Sequence, residues 1–276
     1  MILRKNKIAL LIFLSLLNIN LSFAQKEKGD NSIGTIFISD ASNAFDVGVA
    51  TFKQPLEFSQ NDWLAVGAIA SGTALFFTVD KNIKNFALNN QTSLNNNIFK
   101  VDTYYGSGYT ALFTAGIYGV GLFTQNNEIR KLGLHASEAF IISGLVTGIF
   151  KIIIGRRRPY AGESNLIFKP FQFTNNDYQS LPSGHTTVAF AVSTVMANFS
   201  KNIFWKSFWY TAAGLTAASR IYHNKHWASD VFLGATIGYF VGEFVVDFNS
   251  KKKTELSSLN ISPILSFNKV GIGIRF

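Results

Sequence analysis

The residues suited to binding an anion or moving a proton concentrate in one 80-residue stretch, in three clusters: Lys151 to Pro159 (KIIIGRRRP), Pro182 to His185 (PSGH) and Ser219 to Asp230 (SRIYHNKHWASD). His226 and Asp230 are four apart, and near a helix start such a pair shares one face. The carboxylate can then accept from one ring nitrogen, fix the tautomer and leave the lone pair of the other for an electrophile. Arg220 ends an apolar helical run, where a cation also suits the helix dipole. PSGHTT reads as a turn entering a helix: Pro182 fixes the entry, Ser183 stands at the cap, and Gly184 lets a ligand approach the backbone. Helix N-terminal amides, with the Ser183 hydroxyl, form an anion site. His185 at its mouth, if protonated, can donate to a departing alkoxide.

Lys151 and Arg158 lie seven apart, two turns if the helix continues past Gly155. A planar guanidinium fork and a compact ammonium both counter charge on a five-coordinate phosphorus. Arg156 and Arg157 read as a solvated basic rim that attracts anions or anionic headgroups. Each cluster taken singly has an ordinary structural explanation. Taken together, three sets of phosphate-suited groups at neighbouring helix ends do not.

Six apolar segments position these clusters: Trp63 to Val79, Tyr109 to Phe123, Leu134 to Ile154, Thr186 to Phe199, Phe204 to Ile221 and Trp227 to Val246. The fold expected is an all-α, six-helix bundle. With up-down connections, the end of the third helix, the start of the fourth and the turn between the fifth and sixth share one end. Ile33 to Ile38 alternates as a strand does, and residues 40–61 read as loop or interfacial helix. In the tail, Ile261 to Phe267 and Val270 to Phe276 flank Asn268-Lys269, which suggests a β-hairpin, forming a small sheet with Ile33 to Ile38.

The chain has 276 residues, of which 47% are hydrophobic and only 15% charged, with a formal charge of +9. A basic surface suits anionic lipid or phosphorylated substrates, and with no RNA-binding or recognition-helix pattern, nucleic acid is not an expected partner. Arg4, Lys5 and Lys7, then Ile8 to Leu17, then Ser22-Phe23-Ala24 form the charged, apolar and small-x-small parts of a secretory signal, with cleavage expected after Ala24. Zero cysteines exclude disulfides and thiolate metal sites. The expected location is a bacterial envelope, in the periplasm or on the periplasmic face of a membrane. Glu138, Lys151 and Glu243 interrupt the apolar runs, and several uninterrupted runs fall short of the ~20 residues a span needs. If the signal is cleaved and the first three helices all cross, Lys151 to Pro159 lies at the cytoplasmic face; Arg156 to Arg158 agrees with the positive-inside rule there and Lys251 to Lys253 disagrees. The reading preferred is a periplasmic bundle, soluble or partly inserted, with spanning left open.

In this order, K-x6-RP, PSGH and SR-x5-H-x3-D resemble the three-part signature of the type 2 phosphatidic acid phosphatase (PAP2) and vanadium haloperoxidase superfamily, across roughly Leu134 to Val246. The resemblance implies a helical phosphatase that needs no metal or other cofactor. His226 would attack phosphorus and form a phosphohistidine, Asp230 would orient it, and His185 would protonate the leaving oxygen and then activate water. Lys151, Arg158, Arg220, Ser183 and the Gly184 amide would hold the phosphate. On this reading residues 1–24 are signal, 25–61 an extension, 62–250 the phosphatase domain and 251–276 the tail. The substrate expected is the phosphomonoester or pyrophosphate of an envelope lipid: phosphatidic acid, phosphatidylglycerol phosphate, undecaprenyl diphosphate or lipid A. The alternatives are a soluble periplasmic acid phosphatase of broad specificity and, since vanadate can occupy a phosphate cradle, a vanadium-dependent haloperoxidase. A lipid-binding protein with a dead site is disfavoured by the intact His185, His226 and Asp230. The sequence specifies no oligomeric state.

Overall fold

The computed structural model describes residues 32–258, 260–266 and 269–275, with side chains as far as Lys251; the signal segment and its cleavage site lie outside the described residues. Ser32 accepts from the Thr35 amide and opens helix α1 (Ile33–Lys53). The strand expected at Ile33 to Ile38 is therefore helical. Six alternating residues cannot distinguish a strand from part of a helix, and packing decides the matter: Asp40 pairs with Arg130 and Tyr118, and Val47 is fully buried.

After a single 3-10 turn (Gln54–Glu57), a capping box between Ser59 and Asp62 starts α2 (Gln60–Asn89). Two short helices, α3 (Ser93–Ile98) and α4 (Val101–Tyr104), lead to α5 (Gly108–Phe123). There follow α6 (Asn127–Ile154), α7 (Gly184–Phe199), α8 (Ile203–Tyr222) and α9 (Ala228–Ser258). Each of the six apolar segments coincides with one of the helices α2 and α5 to α9, the last of them starting one residue before α9 at Trp227; α1, α3 and α4 add to that count. Strands β1 (Asn260–Ser266) and β2 (Lys269–Arg275) pair antiparallel with each other, with no contribution from residues 33–38.

Helix α7 forms the centre. Thr186, Thr187, Ala189, Ala191, Val192, Ser193, Thr194 and Val195 are all completely buried along it. Small residues let α9 come close: Gly234, Gly238 and Gly242 recur every four residues, and a Cβ at Gly238 would stand 2.2 Å from the Thr187 carbonyl oxygen. Any side chain there would push the two helices apart and move both halves of the site described below.

The outer sides of the bundle are apolar. Leu75, Phe86, Leu112, Phe123 and Ile141 are each more than half exposed. Among the described residues three helices, Gln60–Asn89, Asn127–Ile154 and Ala228–Lys251 of α9, are long and apolar enough to cross a membrane. The polar residues that break the hydropathy pattern point to other helices: Glu138 is buried and bonded to Asn43 and Asn249, and Glu243 accepts from Asn198. An apolar run read without its partners therefore understates the apolar exterior.

Candidate active site

Helix α6 presents Lys151 in its last turn and stops one turn later at Gly155, which adopts a left-handed conformation (φ 60°). A Cβ at Gly155 would lie 1.7 Å from the Lys169 carbonyl oxygen, so no other residue fits the turn. The helix does not persist to Arg158. Beyond the break the chain is extended, with the Arg157 amide donating to the Ile167 carbonyl (2.9 Å) and the Arg158 amide to that of Asp177 (2.7 Å). Alternation along extended backbone then sends Arg156 and Arg158 inward and leaves Arg157 half-buried beside Gly162.

Arg156 is thus not part of a solvated rim, because none of it is exposed. Its Nη1 donates to Asp230 Oδ1 (2.5 Å) and Ser229 Oγ (2.7 Å), its Nη2 to Asp80 Oδ2 (2.7 Å), and Nε and Nη2 to the Asn165 carbonyl. The Phe77 ring covers the guanidinium at 4.2 Å. An uncompensated charge buried this deeply would be prohibitive, and two carboxylates meet it. Arg158 is held by Asn176, through both its carbonyl and its side-chain oxygen at 2.9 Å.

At the start of α7 the Ser183 amide donates to the Asp230 carbonyl (3.0 Å), which ties this helix end to that of α9. Ser183 occupies the N-cap position but its hydroxyl makes no capping bond; it pairs with Thr186 at 2.9 Å. The first-turn amides are consequently left to an anion. A Cβ on Gly184 would meet Thr147 at 3.5 Å and Lys151 Cε at 3.7 Å, which is ordinary contact. Nothing in the protein forbids a side chain there; what it would fill is the space between the helix start and the Lys151 ammonium.

Arg220, in the last turn of α8, is fixed by Asp102 Oδ2 (2.7 Å), and its Nε is buried without a protein partner. Asp102 also faces His223 Nδ1 at 3.2 Å. His226 lies in the turn before α9, so it and Asp230 do not share a helix face; the turn brings them together. Arg158 Nη1 stands 3.4 Å from His226 Nε2. A guanidinium can only donate, so Nε2 carries the lone pair and Nδ1 the proton. Nδ1 faces Asp230 Oδ2 at 3.5 Å, too long for a good hydrogen bond, while that oxygen accepts from Ser180 Oγ (2.5 Å) and the Trp227 amide (2.8 Å). Histidine contacts of this kind commonly tighten when substrate binds.

The structure therefore gathers Lys151, Arg158, Ser183, Gly184, His185, Arg220, His226 and Asp230 at one end of the bundle. The anchors Asp80, Arg156 and Asp102 are additions that the sequence did not reveal. One signal for Asp80 and Asp102 was available: each is an acid beside an apolar run, where an unpaired charge is costly.

Burial, then the fields of Lys151, Arg158, Arg220 and His185, hold His226 well below the usual histidine range, so it is neutral at ordinary pH. Burial, then Arg220, bring His185 down to about 4, which makes it neutral in the free protein. A bound dianion cancels the cationic field and raises that value. Anion binding between about pH 4 and neutrality should therefore take up a proton and tighten as pH falls. Calorimetry with sulfate, which does not titrate in this range, in buffers of different ionisation enthalpy checks this; uptake should vanish in His185→Gln.

The profile of the PAP2 superfamily matches residues 132–253. The chain's fold resembles that of the first transmembrane PAP2 type phosphatidylglycerolphosphate phosphatase from Bacillus subtilis, with TM-score 0.50, 20% identity, and 78% of this chain and 96% of that one covered. In sequence, the chain is 27% identical to the lipid A 1-phosphatase of Porphyromonas gingivalis over 85% of its own length, and spans 48% of that relative. It is 26% identical to the bacitracin transport permease protein BcrC of Bacillus licheniformis, over 51% of this chain and 68% of that one.

Proposed function

We propose that this protein is a metal-independent phosphatase that hydrolyses a phosphomonoester or pyrophosphate of an envelope lipid through a phosphohistidine. The observation that carries the chemistry is the convergence of cations and helix amides on the lone-pair nitrogen of a neutral, buried histidine. His226 Nε2 forms a bond to phosphorus as the ester P–O bond breaks, and His185 gives its proton to the leaving oxygen. The now neutral His185 takes a proton from water, whose oxygen displaces His226 and releases phosphate. Lys151, Arg158, Arg220 and the Gly184 amide stabilise the equatorial oxygens in both steps.

A lipid substrate is favoured by the apolar outer faces of the helices around the site, and by what the names of the relatives say of those proteins. An outward-facing site is favoured as well. With Arg156 and Arg158 committed to the site, the triple-arginine run no longer argues for a cytoplasmic location, whereas Lys251 to Lys253 near the far end of α9 suit the inner face. On this placement the segment ahead of α2 lies inside if α2, α5 and α6 all cross, and outside, as cleavage after Ala24 requires, if α5 does not.

Phosphate release by purified protein from long-chain, short-chain and soluble phosphates with matched headgroups tests the reading. Long-chain lipid should be preferred at least tenfold in kcat/KM, since each buried methylene contributes about 0.8 kcal/mol. Equal rates throughout would favour a soluble acid phosphatase, and halide oxidation requiring vanadate a haloperoxidase. Activity should persist in excess chelator, and a loss reversed by divalent metal would contradict the metal-free mechanism.

A further inference from the structure

Of the three helices long and apolar enough to cross a membrane, α2 is the least buried, and the residues it buries are Thr73, Asp80 and Lys84. Two of the three are charged, on a helix whose outer face carries Leu75, Val79 and Phe86. Lys84 Nζ donates to the Pro159 carbonyl (3.0 Å) and lies 5.3 Å from the Trp227 ring. Asp80 reaches further in. Its Oδ1 accepts the Ser229 amide (2.9 Å), and its Oδ2 accepts Ser229 Oγ (2.7 Å) and Arg156 Nη2 (2.7 Å). Ser229 precedes Asp230 in the chain, and Arg156 Nη1 grips Asp230 Oδ1 at 2.5 Å. Asp80 therefore fixes both the backbone beside Asp230 and the guanidinium on its carboxylate, and all three ionic groups are completely buried. It lies outside the segment that the superfamily profile matches.

We propose that Asp80 is a positioning residue: through Arg156 and Ser229 it holds the Asp230 carboxylate in the orientation that aligns His226 for attack. This rests on His226 being the nucleophile. A carboxylate that is free to rotate lets the imidazole turn away from the phosphorus, which lowers the rate of attack without weakening phosphate binding.

The test uses purified full-length protein and its folded variants Asp80→Asn, Arg156→Gln and His226→Ala. Asp80→Asn should lower kcat on the order of 10- to 100-fold, as outer partners of metal-bound histidines do, with KM nearly unchanged. Its acid limb of kcat/KM should also move. His226 is faced by Lys151 from α6, Arg158 from the segment after it, His185 from α7, Arg220 backed by Asp102 from α8, and Asp230 from α9, whose carboxylate Arg156 grips. Removing the Asp80 anion leaves Arg156 less compensated and moves the limb to lower pH. Arg156→Gln removes a cation and moves it to higher pH. Opposite displacements about the wild type are something a merely structural role would not produce. If Asp80→Asn does not fold, Ser229→Ala removes one of the same links and should lower kcat severalfold at constant KM. Wild-type kcat and limb in Asp80→Asn, or in its substitute wild-type kcat, with His226→Ala inactive, would overturn this inference and leave the nucleophile in place. Full activity in His226→Ala would overturn both.

Discussion

Replacing His226 by alanine should abolish turnover, lowering kcat by on the order of 10⁴-fold or more, while phosphate or vanadate still binds. The two effects separate because the variant loses one atom's lone pair and keeps the anion site. Lys151, Arg158, Arg220 and the start of α7 are held by Gln179, Asn176, Asp102 and the Asp230 carbonyl, and none of these anchors involves the His226 ring. Inhibition constants for vanadate measured by displacement should therefore change much less than kcat. Full activity in the variant would remove His226 as nucleophile.

His185→Asn should lower kcat on an alkyl or lipid phosphate by roughly 10²- to 10⁴-fold, with a different signature on an aryl phosphate. A nitrophenolate leaves without a proton, so the first step survives the loss of the acid. The second step still needs a base to activate water. Rapid mixing of the variant with nitrophenyl phosphate should show a burst of nitrophenolate close to the enzyme concentration, followed by slow turnover. A variant equally impaired on both substrates, without a burst, would assign His185 to binding instead of proton transfer.

The eight candidate site residues that the structure gathers at one end of the bundle could be picked out because residue types and short spacings are displayed directly by a sequence. The direction of a side chain is a different matter. Arg156 looked like Arg157, but one left-handed glycine at 155 converts a helix into extended chain, and alternation then buries one arginine and not its neighbour. Asp80 and Asp102 stand 150 and 128 residues before Asp230, and only the packing of α2 and α4 carries them to the site. Ile33 to Ile38 misled because a six-residue pattern has no period to read, and the contacts that made it helical, to Arg130 and Tyr118, are distant in sequence. Membrane character was understated for the same reason: the polar residues of α6 and α9 are matched by partners on other helices.

The most direct test is to quench the wild-type protein with alkali during turnover and map covalent phosphate by mass spectrometry. The mechanism predicts a phosphoryl group on the peptide that carries His226, absent in His226→Ala and accumulating in His185→Asn when nitrophenyl phosphate is the substrate. Steady phosphate release with no phosphoryl group on His226, or with one on another residue, would contradict it.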